Sequence, residues 1–396
     1  MRPNVFSTVT LHSYDKLLAE LVAAPSISAP SADWDQSNEK VIAILHRWFS
    51  ELGFKSEIHK VPNNPGKFNL IACLGEGAEG LVLSGHTDTV PFDASKWSSD
   101  PFTMDYRNER FYGLGSCDMK GFFPIIVEAL RRLEGAELSQ PLIVVATADE
   151  ESSMSGARAI ASSTLIQGRA AIIGEPTSIR PIRMHKGIMM QGVRISGQSG
   201  HSSNPELGNS ALEAMHEMIS ELMRYRASIQ QRFQHPGFEV TTPTLNFGHV
   251  HGGDSPNRIC GHCELSFDLR LLPGMDSVSI RNEISGIVSR VSARRSIDVS
   301  LSDLIDHVDA FETAEHSDLV QSCEIITKTK AGAVSFATEA PFLSQLGFET
   351  IVMGAGSIDQ AHQPDEFLAA HQVKPMADVL CRLIQKYCIS EKESLA

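Results

Sequence analysis

Short, unbroken apolar runs alternate along the chain with stretches where apolar side chains return every three or four positions. Over 39–52, Val41, Ile44, Leu45, Trp48 and Leu52 recur at helical spacing, and Gly53 follows as a stop. The same period predicts helices over 13–22, 122–133, 155–163, 318–326 and 374–387. Runs over 54–61, 68–74, 81–83, 142–146, 170–173 and 350–353 predict strands. The runs at 81–83, 142–146 and 170–173 have no polar position, which implies burial on both faces. Strands alternating with helices predict the α/β class, a mainly parallel sheet flanked by helices.

The pattern changes after about residue 182. Strand 187–195, helix 209–229, strands 240–250 and 264–272, helix 277–291 and strand 296–301 follow one another, several with polar alternation. That order is ferredoxin-like α+β. Its sheet is expected to keep an edge open for pairing. The domain reading is therefore 1–181 and 305–396 for one catalytic domain, with 182–304 inserted. Helix 209–229 carries Met215, Met218 and Met223, which are read as packing residues.

Polar residues follow the apolar runs in a repeated way. Ser84-Gly85-His86-Thr87-Asp88 closes the first, and side chains two apart share a face in extended backbone. Thr147-Ala148-Asp149-Glu150-Glu151 closes the second. Adjacent acids repel one another unless something positive sits beside them. Gly174-Glu175-Pro176 closes the third, and His362 lies in a polar loop after the 350–353 run. Asp118 sits among Gly113, Gly115 and Gly121, just before a helix, where a plain N-cap is the competing reading. Ligands in open α/β sheets bind beyond the carboxyl ends of the strands. His86, Asp88, Asp118, Glu150, Glu151, Glu175 and His362 form a nitrogen and oxygen donor set suited to Zn, Mn or Co. Five ligands with one shared carboxylate hold two ions about 3.5–4 Å apart, and a carboxylate outside the set takes a proton from water. Spacing alone does not say which five.

Composition narrows the classes. With 396 residues, more than one domain is expected. A net charge of -14 argues against nucleic acid as partner. No apolar run reaches membrane-spanning length, and the opening residues lack the apolar core of an export signal. Seven scattered cysteines fit a reducing, cytoplasmic setting rather than a disulfide framework. Cys260 and Cys263 form an isolated C-x-x-C and are read as part of a strand. No G-x-S-x-G is present, which disfavours a serine hydrolase.

Taken together, HTDTVP, DMKG, ADEE, IGEPTS, HKG, GQSGHSS, GGDSPNRIC, ATEAPF and GSIDQAHQPDE resemble the M20 family of binuclear zinc hydrolases, in order and over nearly the whole chain. The resemblance implies a metal-dependent amide hydrolase acting on a small N-acyl amino acid, with two Zn²⁺ per subunit and Co²⁺ able to substitute. It implies His86, Asp118, Glu151, Glu175 and His362 as metal ligands, with Asp118 bridging and the bond after it cis. It implies Glu150 as general base and Asp88 as the partner that orients His86. His201 is implied to reach a partner's site in a homodimer joined through the inserted domain. Lys186, Asn257, Arg270 and Glu339 are implied to contact substrate, Glu339 by meeting a cationic amine. Deacylases of different acyl amino acids share this core. A binding protein that kept the fold would show damage to Glu150 or a ligand, and none is seen.

Overall fold

The structure is a computed structural model that describes residue 6 and residues 11–389. Most of the opening stretch read above as lacking an export signal lies outside the described residues. The chain divides into two compact units. One takes the chain up to Arg183, Thr313–Gly332 and the chain from Thr338 onward; the other takes Met184–Glu312 and Ala333–Ala337. Among the described residues no helix is long and apolar enough to cross a membrane.

The first unit is built on a mixed sheet. Its strands lie in the order Lys55–Lys60, Phe68–Leu74, Leu142–Thr147, Leu81–His86, Ala170–Ile173 and Glu349–Val352. The last four of these are mutually parallel, and the first two join antiparallel at the flank. Every residue of Leu81–His86, Leu142–Thr147 and Ala170–Ile173 is buried, as their apolar composition requires. Each fully buried Val, Leu or Ile contributes about 1.5–3 kcal/mol, enough in sum to sustain a crowd of acids at the sheet's rim. The parallel register aligns His86 with Thr147 and Ser84 with Ile173. The residues that follow each strand therefore emerge at one edge.

Helices Tyr14–Val22, Glu39–Glu51, Phe122–Arg131 and Ala370–Cys388 bury their apolar sides in the same core. Helix Glu39–Glu51 ends where expected, with Gly53 at φ 88 just beyond it. A second, three-stranded sheet departs from the sequence reading. Asp105–Arg107, Arg110–Tyr112 and Phe367–Ala369 pair antiparallel, and none of the three is among the strands predicted above. Its strands are three residues long, too short for any period to show. Asn108 and Glu109 make the hairpin turn, both at positive φ.

The second unit has a four-stranded antiparallel sheet. Counted along the chain as Gly187–Ser196, Thr244–Gly252, His262–Leu271 and Asp298–Asp303, its strands lie in the order second, third, first, fourth. With helices Ala211–Arg232 and Ser277–Arg295 after the first and third strands, this is the expected ferredoxin-like arrangement. Met215 and Met218 lie in its core, whereas Met223 is exposed. Cys263 is buried in its strand and Cys260 just before it, both free thiols.

Candidate metal centre

His86 ends its strand fully buried. Its Nδ1 lies 3.1 Å from the backbone carbonyl of Asp88, a contact that only an N–H can make. Nε2 therefore faces the cluster, 3.1 Å from Asp118 Oδ1 and 3.9 Å from Glu175 Oε1. The other Asp118 oxygen, Oδ2, lies 3.7 Å from His362 Nε2. That nitrogen is 3.0 Å from Glu151 Oε2. Two triads result, His86–Asp118–Glu175 and Asp118–Glu151–His362, whose donor atoms lie within 4.8 Å of one another in each. Asp118 belongs to both, one oxygen toward each.

Local structure explains these positions. Asp118 lies in a tight turn, followed by a cis peptide bond to Met119. The helix after it is capped by Gly121 without side-chain help, so the N-cap reading of Asp118 is set aside. Gly115 in that turn has φ 81, and a Cβ there would meet Thr89 Cγ2 at 2.9 Å. Asp88 meets the His86 ring mainly through its main-chain carbonyl, 3.1 Å from Nδ1, since its own Oδ1 is 3.6 Å away. Its Oδ2 accepts from the Glu151 N–H at 3.0 Å, which ties the first strand end to the second.

The site is electrostatically strained in a way that invites cations. Burial first, then the neighbouring acids, pushes the Glu150, Glu151 and Glu175 carboxyls up. The acid acting most strongly in this way is Glu175 for Glu150 and Asp118 for the other two. Burial alone would lower His86, but the hydrogen bond to Asp118 and the nearby Asp88 carboxylate outweigh it and raise the imidazole well above its usual value. Hydrogen bonding to Glu151 raises His362 to about 9. Glu175 Oε1 is buried with no hydrogen-bond partner while facing an imidazole nitrogen. Two imidazoles, three surrounding carboxylates and an orphaned oxygen fit a pair of divalent cations. Glu150 is in neither triad. Glu339 is buried beside the site with both oxygens unpartnered, its carboxyl raised to about 7 by burial.

The remaining predicted residues lie in the second unit or at its start. Lys186 is buried, and its Nζ donates to the Val240 and Thr242 carbonyls at 2.7 and 2.8 Å. Arg270 Nε donates to Asp268 Oδ2 at 3.0 Å. His201 is exposed, and its Nδ1 accepts from the Ser203 N–H, so the proton of the neutral ring sits on Nε2. Asn257 is exposed nearby: its main-chain carbonyl accepts from the Ser202 N–H, and the backbones of His201 and Arg258 pair in an isolated β-bridge.

Three residues in the first unit escaped the sequence reading. Glu366 is buried, and its carboxylate accepts from the N–H groups of Gly115, Cys117 and Asp118 at 3.0, 2.7 and 2.9 Å. It thereby fastens the turn that carries Asp118. Its position four residues after His362, in the same polar loop, was the available signal. Lys67 and Asp149 form a buried ion pair at 2.7 Å. Three consecutive acids pointed to a hidden cation but not to which one.

Comparison with known proteins bears on this geometry. The sequence profile of Peptidase family M20/M25/M40 matches residues 82–386. An acetylornithine deacetylase of Edwardsiella ictaluri is 47% identical over 378 residues, covering 96% of this chain and 98% of its own. Among solved structures, a tripeptidase from Staphylococcus aureus superposes with a TM-score of 0.73 at 17% identity, covering 94% of this chain and 97% of that one. A dinuclear metal binding peptidase of the M20 family from Bacillus subtilis superposes with a TM-score of 0.65 at 13% identity, covering 94% and 96%.

Proposed function

The chain belongs to peptidase family M20/M25/M40, and from that premise we propose that it hydrolyses N2-acetyl-L-ornithine to L-ornithine and acetate, a step of arginine biosynthesis. The near full-length identity to acetylornithine deacetylases carries the choice of substrate. The observation that carries the metal-dependent chemistry is Asp118 presenting one oxygen to each of two donor triads.

His86, Asp118 and Glu175 would hold one cation, and Asp118, Glu151 and His362 the other. The nitrogen and carboxylate donors favour zinc, with cobalt as a substitute. When bound, the pair supplies an acidic water and polarises the scissile carbonyl. Glu150, adjacent but outside both triads, takes the proton from water and returns it to the departing amine. Asp88 keeps the His86 ring turned so that Nε2 faces inward. Glu339, buried and unpartnered, is suited to the side-chain ammonium of ornithine. Asn257 and Arg270 carry donors suited to a substrate carboxylate, whereas the Lys186 ammonium is buried and already donates to two main-chain carbonyls.

We read the protein as a homodimer formed through the inserted domain. The Thr244–Gly252 strand is an open sheet edge with Val250 exposed, ready to pair with a second copy. His201 of one copy would then donate its Nε2–H to the oxyanion formed in the other. The seven free cysteines agree with a reducing compartment, which we take to be the cytoplasm.

The test is a panel of N-acyl amino acids with zinc and with cobalt. N-acetylornithine is expected to give the highest kcat/KM, ahead of succinyl-diaminopimelate and of acetylated amino acids lacking a side-chain amine. A preference for the succinylated substrate would overturn the assignment.

A further inference from the structure

Just before the tandem glutamates, Asp149 holds a left-handed backbone, φ 59, and is only 3% exposed. Its carboxylate is fully engaged. Oδ1 pairs with Lys67 Nζ at 2.7 Å and accepts from Ser28 Oγ at 3.0 Å. Oδ2 accepts from Asn64 Nδ2 at 2.7 Å and from Ser155 Oγ at 3.0 Å. Its main-chain carbonyl accepts from the N–H groups of Ser152, Ser153 and Met154. Lys67 is 2% exposed and uses its other donors on Asp35 Oδ1 and the Gln36 carbonyl, at 2.7 and 2.8 Å. Four side chains from three chain segments thus meet at one carboxylate, and none of these four belongs to a donor triad.

We propose that Lys67 and Asp149 are positioning residues for the reaction: their buried pair sets the turn after the Leu142–Thr147 strand so that Glu151 enters a donor triad while Glu150 stays outside it. Two consecutive glutamates are chemically identical, so only the course of the backbone assigns them different tasks. That course is held at one end by Asp149 and at the other by the Glu151 N–H bonded to Asp88. Rotation of the turn would misplace both carboxylates together. A misplacement of about 1 Å far from the reacting atoms costs roughly 10²-fold in rate. A buried ion pair is weak evidence for stability in itself, which leaves geometry as the reason for this one. The inference rests on the metal-dependent hydrolase reading above.

The test uses the full-length double variant K67M/D149N, in which neither charge is left buried alone. Melting temperature, kcat, KM on N-acetylornithine and the visible absorption of the cobalt-loaded protein are compared with the unaltered protein. The expected result is a folded protein with kcat lower by about 10²-fold, KM within about threefold, and a changed cobalt spectrum. A folded double variant with unaltered kcat and spectrum overturns the proposal, as does a rate loss that only follows the folded fraction. Should the double variant not fold, Ser28→Ala deletes a single donor to Asp149. A fall in kcat of at least about threefold with an altered cobalt spectrum is then expected, and no change in either overturns the proposal. If the unaltered protein fails to turn over N-acetylornithine, the substrate reading falls. The cobalt spectrum of the variants still decides the positioning role.

Discussion

At the scale of single residues, Glu150 and Glu366 make opposite contributions to one site. Glu150 stands outside both donor triads, so its loss should remove proton transfer and spare the metal. Glu150→Ala is expected to lower kcat by about 10²–10⁴-fold, with metal stoichiometry per chain unaltered by elemental analysis. Loss of metal instead would mean that Glu150 and Glu151 have exchanged roles. Glu366 belongs to neither donor triad but binds three N–H groups of the turn that carries Asp118, that of Asp118 among them. Glu366→Gln keeps the size but puts an NH2 group where one of the two acceptor oxygens now meets an N–H. It is expected to weaken metal affinity by about 10–100-fold, read by competition with a chromophoric chelator. Equal affinity in variant and parent would reduce Glu366 to a packing residue.

At the scale of elements, the helix Asp318–Thr327 shows how local charge fixes one segment to another. Ser317 caps it through the Val320 N–H, and Asp318 binds Lys386 Nζ at 2.6 Å and the Tyr387 hydroxyl at 2.9 Å on the last helix. Burial alone would raise the Asp318 carboxyl, but the bonds to Lys386 and Tyr387 outweigh it and hold it below its ordinary value. A carboxyl depressed in the folded state stabilises above its unfolded pKa and loses that stabilisation as pH falls through the folded one. Asp318→Asn should therefore cost about 0.2–1 kcal/mol at neutral pH, modest because the pair is partly exposed. Denaturant midpoints should show the difference closing below about pH 4. A gap that persists there would trace to packing instead of charge.

At the scale of the whole molecule, a chain of net charge -14 concentrates buried acids at one sheet edge, and cations are the natural counterweight. Thorough chelation is expected to abolish turnover and lower the melting temperature, with both restored by zinc or cobalt. Metal at about 100 times its Kd adds about 2.7 kcal/mol by mass action alone. Full activity after verified metal removal would end the account. Sedimentation of the same sample reads the proposed dimer, for which a monomer mass would be the adverse result.

The order of strands and helices was legible without coordinates, because periodicity reports which side chains must be buried and burial is largely a local property. His86, Asp88, Asp118, Glu150, Glu151, Glu175 and His362 stood out as polar groups near the ends of apolar runs or beside a helix start, whereas the choice of five ligands came only from the resemblance to the M20 family. The grouping of His86 with Glu175 and of Glu151 with His362 on opposite sides of Asp118 was not legible, since it depends on which strands become neighbours. Nor was the three-stranded sheet that pairs Leu368 with Phe111, and so brings the loop of His362 to the turn of Asp118. The same holds for Lys67 against Asp149, and for Glu366 against three N–H groups about 250 residues away. Such partners leave no period in the sequence. They are chosen when a distant segment folds back and satisfies a buried charge, which is decided only by the closed tertiary structure.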